Sequence, residues 1–417
     1  IIGLIYQLNR DPKNFTIVMW LFFMMGIALV LYFNTTPSEP RERDYVYAGS
    51  FYAFCIWIGF GVMALRDLLV KLTGKKESKG IALAAVAVCA VVPTLLGVQN
   101  WDDHDRSRRY VARDIGWNYL QSCLPNSIIM NYGDNDTFPL WYNQEVEGVR
   151  PDVRIMNMSY LGGSWYIDQM KYKYNDSEPV PFSLPKHKYM YTNDYIYVED
   201  EVGRTITVKQ AVNYIRMDDP RTRLQLTEKT TVDYVPATTL LLPVNKENVL
   251  ATGLVKPEDA HMIVDTITIN LKGKGSLEKP EMMFLDLLAN FDWKRPLYFT
   301  QPSSIASFGL LDYLQFDGYA YRLVPIKTAY KDSWSIGRID ADYLYNNLMN
   351  VFRYGNVSDP KVYVDSFVQY NFNASQIRVA FARLAMERFQ RGDSAWAVQA
   401  LDHFMERVRV VAGGFGV

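Results

Sequence analysis

Three cysteines and four histidines among 417 residues leave little material for redox or metal chemistry. Cys55 and Cys89 fall inside apolar runs and only Cys123 lies in the rest of the chain, so no disulfide framework can hold the protein together. His104, His187, His261 and His403 are scattered, no H-E-x-x-H occurs, and without cysteine pairs a zinc site has no support. No G-x-G-x-x-G follows a strand pattern and no G-x-S-x-G elbow exists. Gly74-Lys75-Lys76 lacks the upstream glycine and the Ser/Thr of a phosphate-binding P-loop. An excess of either charge is missing too: 44 basic against 45 acidic side chains give a net charge of -1, which excludes a nucleic-acid binder driven by bulk positive charge. Disorder is excluded by what is abundant, 49% hydrophobic and 14% aromatic residues.

The mean hydropathy of -0.11 averages two unlike regions. Residues 1–100 contain three uncharged stretches, Phe15–Phe33, Tyr47–Leu65 and Gly80–Val98. A hydrocarbon core of about 30 Å takes roughly 20 apolar residues of helix, so each stretch is expected to span a bilayer. The opening Ile1-Ile2-Gly3-Leu4-Ile5-Tyr6 reads as the last turns of a further span, and with no initiating Met the chain is expected to start in mid-protein. Lys71, Lys75, Lys76 and Lys79 follow the second full span, and Arg10 and Lys13 precede the first. Positive residues mark the cytoplasmic side, so the loop Asn34–Val46 and everything after Gln99 are expected to face away from the cytoplasm.

After Trp101 a charged collar gives way to apolar positions at helical spacing, Tyr110, Val111, Ile115, Trp117, Leu120 and Cys123, predicting a helix that leaves the bilayer. Ser127–Tyr132 reads as a strand, Gly133-Asp134-Asn135-Asp136 as a turn, Thr137–Glu147 as a helix and Asp152–Met158 as a second strand. Strand, helix and strand at this spacing predict a βαβ crossover and a mostly parallel sheet. Tyr172–Asp200 is expected to be a loop-heavy insertion. Thr207–Met217 and Glu281–Phe291 read as helices, and Met262–Leu271, Arg295–Thr300 and Tyr319–Ile326 as strands. From Asp340 only helices are expected, Val362–Phe372, Ser375–Arg391 and Ser394–Val411. Small residues Ala382, Ala385, Ala397 and Ala400 at the presumed contact suggest the start of a tetratricopeptide-like array. The expected organisation is transmembrane helices over 1–99, an α/β domain over 100–335 and a helical tail over 336–417.

Two clusters can carry chemistry. Pro37–Tyr45 holds Arg41, Glu42, Arg43 and Asp44 between two spans. Guanidinium forks there suit the phosphate of a lipid-linked donor, with the carboxylates orienting them or meeting sugar hydroxyls. A self-paired, snorkelling loop explains the same residues. Asp134, Asn135 and Asp136 lie where a strand's carboxyl end meets a helix, the place where ligands bind in open α/β sheets. Asp is equally a helix-capping residue, and that reading is preferred. Two carboxylates are too few to establish a divalent cation site, so the question of one stays open. Trp141, Tyr142, Trp165 and Tyr166 can stack on sugar rings, with core packing as the plainer role for most of them.

Pro40-Arg41-Glu42-Arg43-Asp44-Tyr45 between spans, Gly133–Tyr142, Glu145–Val153, Trp293–Phe299 and Tyr321–Pro325 together resemble a multi-spanning family common in Bacteroidetes. That family is related to protein O-mannosyltransferases and to an animal membrane mannosyltransferase. The resemblance implies a C-type glycosyltransferase, moving a sugar from a polyprenyl-phosphate carrier to a protein hydroxyl with inversion at the outer membrane face. It implies the bilayer, the lipid-linked sugar and an acceptor protein as partners, no nucleic acid, a bacterial inner-membrane location and a periplasmic large domain. In such enzymes a first outer loop supplies the acidic base. Nothing in this sequence matches that loop, so no catalytic residue is assigned here and the base is expected outside the chain. The other reading is a non-catalytic, membrane-anchored periplasmic binding or scaffold module. The full expectation for the fold is three full spans plus part of another, then a soluble α/β domain with a mostly parallel sheet and a tetratricopeptide-like helical tail.

Overall fold

The computed structural model describes residues 1–34, 44–74, 78–190, 193–200, 203–227, 230–364 and 376–408, the side chain of Asp103 excepted. It divides into two compact units, Ile1–Asp105 and Arg106–Val417.

All described elements of the first unit are helical: α1 (Ile2–Arg10), α2 (Pro12–Met24), α3 (Ile27–Phe33), α4 (Ala48–Thr73), α5 (Lys79–Cys89), α6 (Val91–Gln99) and the short α7 (Trp101–His104). Three helical stretches, Pro12–Phe33, Asp44–Thr73 and Lys79–Gln99, are long and apolar enough to cross a membrane, and their most apolar windows are 0%, 11% and 6% buried. Apolar side chains pointing outward on this scale require hydrocarbon rather than water around them. The first stretch is broken at Gly26, whose N–H turns to the Phe23 carbonyl and leaves the Phe22 carbonyl without its usual helical donor. The Ser50 hydroxyl of α4 donates to that carbonyl at 3.0 Å. A neighbouring hydroxyl is how a broken helix stays satisfied where water is absent. Side chains have no room here, since a Cβ on Gly26 would sit 2.5 Å from Ser50 Oγ. Helix α1 is too short to span and packs on α4, with Gly3 against the Trp57 carbonyl and Trp57 Nε1 donating to Gln7 Oε1 at 2.8 Å.

The second unit opens with α8 (Val111–Gln121), β1 (Ile128–Asn131), α9 (Asp134–Glu145), β2 (Arg154–Asn157) and α10 (Ser164–Met170). Then follow β3 (Tyr195–Val198), β4 (Thr205–Thr207), α11 (Val208–Arg216), β5 (Arg223–Thr227), β6 (Thr230–Val235), β7 (Thr239–Pro243), α12 (Lys246–Ala251), β8 (Thr266–Asn270), β9 (Ser276–Glu278) and α13 (Lys279–Asn290). The last elements are β10 (Leu297–Phe299), β11 (Leu314–Phe316), β12 (Tyr321–Leu323), α14 (Ala341–Asn346), α15 (Arg378–Gln390) and α16 (Ser394–Arg407).

The central sheet has the order β11-β12-β10-β1-β2. Its β1, β2 and β10 are parallel, with Ile128 opposite both Arg154 and Leu297, so the predicted βαβ unit is present. Strand β12 is antiparallel to both β10 and β11. Two smaller sheets, β5-β6-β3-β9 and β4-β7-β8, also mix directions. The expectation of a mostly parallel sheet is therefore corrected. Strands β11 and β12 are joined by a tight turn at Asp317–Ala320, with Gly318 at φ +108°, and a connection that short can only return the chain antiparallel.

Alternation along the strands divides the core between the two faces of the central sheet. Ile128, Met130, Met156, Leu297 and Phe299 join one cluster with α10, α11 and α13, whereas Ile129, Val153, Ile155 and Tyr298 join another with α8, α9 and α14. Phe381, Leu384, Ala400 and Phe404 of the tail enter this second cluster. The described tail is thus a helical hairpin built into the domain core, and a repeat array is not established. Ala385, Ala397 and Ala400 are buried as expected of contact residues, but Ala382 is exposed. Most of the expected helix Val362–Phe372 lies outside the described residues, as does the end of Ser394–Val411.

Helix α8 lies close against α9 at Gly116. A Cβ there would meet the Pro139 carbonyl oxygen at 2.2 Å and Asn143 Nδ2 at 2.5 Å. Gly116→Ala is expected to destabilise the larger unit by about 1–3 kcal/mol, the usual cost of overpacking. Urea unfolding of the full chain in detergent, followed by near-UV circular dichroism, should show an earlier midpoint. An unchanged midpoint would mean the two helices are not in this contact.

Candidate functional site

The carboxyl ends of β1, β2 and β10 present Asn131, Asn157 and Thr300 to the first turn of α9. Asn131 Nδ2 and Asn157 Nδ2 donate to Thr137 Oγ1 at 2.8 and 2.7 Å, and the Thr137 hydroxyl donates to the Gly133 carbonyl at 2.5 Å. Asp136 accepts from Gly133 N at 3.0 Å, from Tyr132 N at 3.2 Å and from the Thr300 hydroxyl. These buried groups tie three strands to one helix, leaving Asn131 Oδ1 without a partner.

Of the residues singled out in the sequence, Asp136 is therefore buried in the framework. It sits at the third position of α9 and reaches back to the N–H groups of Tyr132 and Gly133, where a carboxylate satisfies donors at the helix start. The predicted turn 133–136 is already helix from Asp134. Asp134 and Asn135 are exposed on its first turn. Asp44 opens the 3-10 turn Asp44–Tyr47 that leads into α4, while Arg41, Glu42 and Arg43 lie outside the described residues. Among the described residues no group of three or more His, Cys, Asp or Glu comes together where a metal could bind. Cys123 is buried, which pushes its thiol far above the usual range and leaves it unreactive.

The aromatic residues converge instead. Tyr160, absent from the sequence-based set, links them: its ring centroid is 6.0 Å from Trp141, 6.3 Å from Trp165 and 5.6 Å from Tyr166. Tyr142 is not part of this group, and its hydroxyl donates to Glu147. Tyr166 is fixed by accepting from Asn157 N at 2.8 Å, and burial pushes its phenol up to about 12, so it stays protonated. Trp165, by contrast, is 56% exposed.

Beside this group a cavity of about 280 Å3 runs along the outer edge of β2. Trp141, Gln144 and Glu145 of α9 and Trp165, Tyr166 and Gln169 of α10 enclose it together with Arg154 and Tyr174. The open edge is partly closed from within: Gln144 Nε2 donates to the Val153 carbonyl at 2.7 Å, and Tyr166 takes the Asn157 N–H. The site thus combines aromatic faces, amides and a buried cation in a concavity at a sheet edge, as small-ligand sites do.

Residues 112–343 match the family described as TMEM260-associated domain 2. The chain belongs to that family. No curated protein and no solved structure is matched by it. Within the TMEM260-associated domain, several residues of the stretches that carried the resemblance hold the fold. Arg150 forks onto Asp152 at 2.8 and 2.9 Å and donates to the Leu120, Cys123 and Leu124 carbonyls, closing the end of α8. Trp293 Nε1 donates to the Pro243 carbonyl at 2.9 Å, and Arg322 pairs with buried Asp317 at 3.0 Å. Sequence reasoning missed Arg154 and Gln144 as cavity residues, because neither sits in a recognisable motif and each is placed only by the strand edge.

Asp136→Ala is expected to cost about 2–3 kcal/mol of domain stability, since it strands buried donors, whereas Asp134→Ala and Asn135→Ala should stay within about 0.5 kcal/mol. Urea unfolding of the three variants compares them. Equal costs would remove the capping role.

Proposed function

We propose that the chain works as part of a membrane glycosyltransferase that moves a sugar from a polyprenyl-phosphate carrier to Ser or Thr of a protein, on the periplasmic side of a bacterial inner membrane. The observation carrying this reading is the combination of three outward-facing apolar helices with a domain of the TMEM260-associated family, TMEM260 itself being O-mannosyltransferase-related. In the proposed step a carboxylate from outside this chain takes the acceptor's hydroxyl proton and the oxygen attacks the anomeric carbon. The bond from that carbon to the phosphate oxygen breaks, and the polyprenyl phosphate leaves. Arg41 and Arg43, with Glu42 and Asp44 orienting them, stabilise the departing phosphate. The larger unit serves acceptor or glycan contact, and Asp134 and Asn135 are available for it because they face solvent. Asp136 contributes by holding that turn in place.

Comparing the Ser/Thr glycopeptides of a deletion strain by mass spectrometry tests this. Deletion should abolish a set of periplasmic glycopeptides, and the wild-type gene should restore it. A gene carrying Arg41→Ala with Arg43→Ala should restore it at least about 100-fold less well, the scale of removing a transition-state charge contact, while the larger unit keeps its protease-resistance pattern. An unchanged glycopeptide set on deletion would favour the scaffold reading.

A further inference from the structure

The cavity on the outer edge of β2 carries two charges of opposite sign and unlike surroundings, the exposed carboxylate of Glu145 and the guanidinium of Arg154. Arg154 is 2% exposed. Its Nη2 donates to the Gln169 carbonyl at 3.0 Å, its Nη1 reaches Ser177 Oγ at 3.4 Å, its guanidinium lies 5.5 Å from the centre of the Tyr174 ring, and its Nε has no partner. Among the described residues no carboxylate lies within ion-pair distance of it. Another cation, Arg295, lies nearby, 8% exposed, hydrogen-bonded to the carbonyls of Asn126, Ser127, Glu178 and Pro179 and offset by the Glu178 and Asp152 carboxylates. Burial lowers the affinity of both guanidinium groups for their protons, Arg295 to about 10 with Arg154 adding to the effect. A buried cation without an ion-pair partner is costly, and an anion reaching the cavity would relieve that cost at Arg154.

The rest of the wall selects the form of the anion. Trp141, Trp165 and Tyr174 offer ring surface to apolar C–H groups, while the exposed carboxylate of Glu145 at the rim, which already accepts from Asn175 Nδ2 at 3.3 Å, can accept a further hydrogen bond from a sugar hydroxyl. Water screens Glu145, so it repels an anion far less than buried Arg154 attracts one. An extended peptide pairing with β2 is disfavoured, because Gln144 and Tyr166 already hold the backbone groups that such a strand would need. We propose that this cavity binds a sugar unit carrying an acidic group, its carboxylate or phosphate directed to Arg154 and its ring against Trp141 and Trp165. The inference stands on the cavity alone, so its failure would leave the transfer reading intact.

Titrating the full chain in detergent with glucuronic acid, glucose 6-phosphate, glucose and inorganic phosphate, followed by tryptophan fluorescence, tests it. Either acidic sugar or both should bind about tenfold or more tighter than glucose, the size of one charge-assisted hydrogen bond. The tighter of the two identifies the carboxylate or the phosphate as the preferred acid, and inorganic phosphate alone should bind more weakly than that sugar. Arg154→Gln should bring the acidic sugars to the level of glucose, and Trp165→Ala, at an exposed position, should weaken acidic and neutral sugars alike. If Arg154→Gln does not fold, Trp165→Ala and Tyr174→Ala decide. Acidic sugars binding no tighter than glucose, or binding that survives the wall substitutions, would overturn the proposal. So would an acidic peptide that displaces the sugars at lower concentration.

Discussion

A backbone polar group without a partner in hydrocarbon costs several kcal/mol, and the first unit is organised around that cost. Its helices keep their N–H and C=O groups paired internally, and where α2 breaks at Gly26 the freed Phe22 carbonyl is taken by Ser50 of α4. The same constraint explains why the apolar side chains of Pro12–Phe33 face outward. In water that surface would drive association, whereas in a bilayer it is the solvent-matched face. The proposed chemistry depends on this placement, since a lipid-linked donor is met only at a membrane surface.

In the larger unit a different accounting applies. The central sheet is covered on both faces, so its ends and its edges are where polar chemistry can gather. At the carboxyl end most of the polar side chains hold the fold: Asn131, Asn157 and Thr300 donate to Thr137 and Asp136. Along the outer side of β2 they do so only in part. There the helices on opposite faces stand apart enough to leave a cavity, and Arg154 is carried into its wall by the strand. Aromatic residues from both helices, Trp141 and Trp165, meet across Tyr160 beside the cavity.

Much of this was legible in the sequence where a single period or length decides. The three spans follow from uncharged runs of membrane length. Strands β1, β2 and β10 and helices α9, α11 and α13 follow from apolar patterning bounded by Gly, Pro and capping residues. Strand direction was not legible, because β11 and β12 are three residues long and such short apolar runs look alike whichever way they pair. Nor was the tail's burial: Phe381 and Phe404 look like the apolar stripe of a free hairpin until the face of the sheet they cover is known. Asp136 shows the limit for sites. An Asp at a strand-to-helix turn suits a ligand or a cap equally well in sequence, and only the converging Thr300 hydroxyl and two backbone N–H groups separate the two. Arg154 shows the converse, a charge inside an apolar strand whose lack of a carboxylate partner appears only in three dimensions.

The proposed topology is the claim on which the transfer reaction depends, and cysteine accessibility measures it directly. With Cys55 and Cys89 replaced by Ala, and buried Cys123 retained because its thiol is inert, single cysteines at Glu258→Cys in the larger unit and at Lys71→Cys after the second span report the two sides. A membrane-impermeant maleimide added to intact spheroplasts should modify Glu258→Cys and spare Lys71→Cys until the cells are lysed. Modification of Lys71→Cys alone in intact cells would place the larger unit in the cytoplasm and contradict the account.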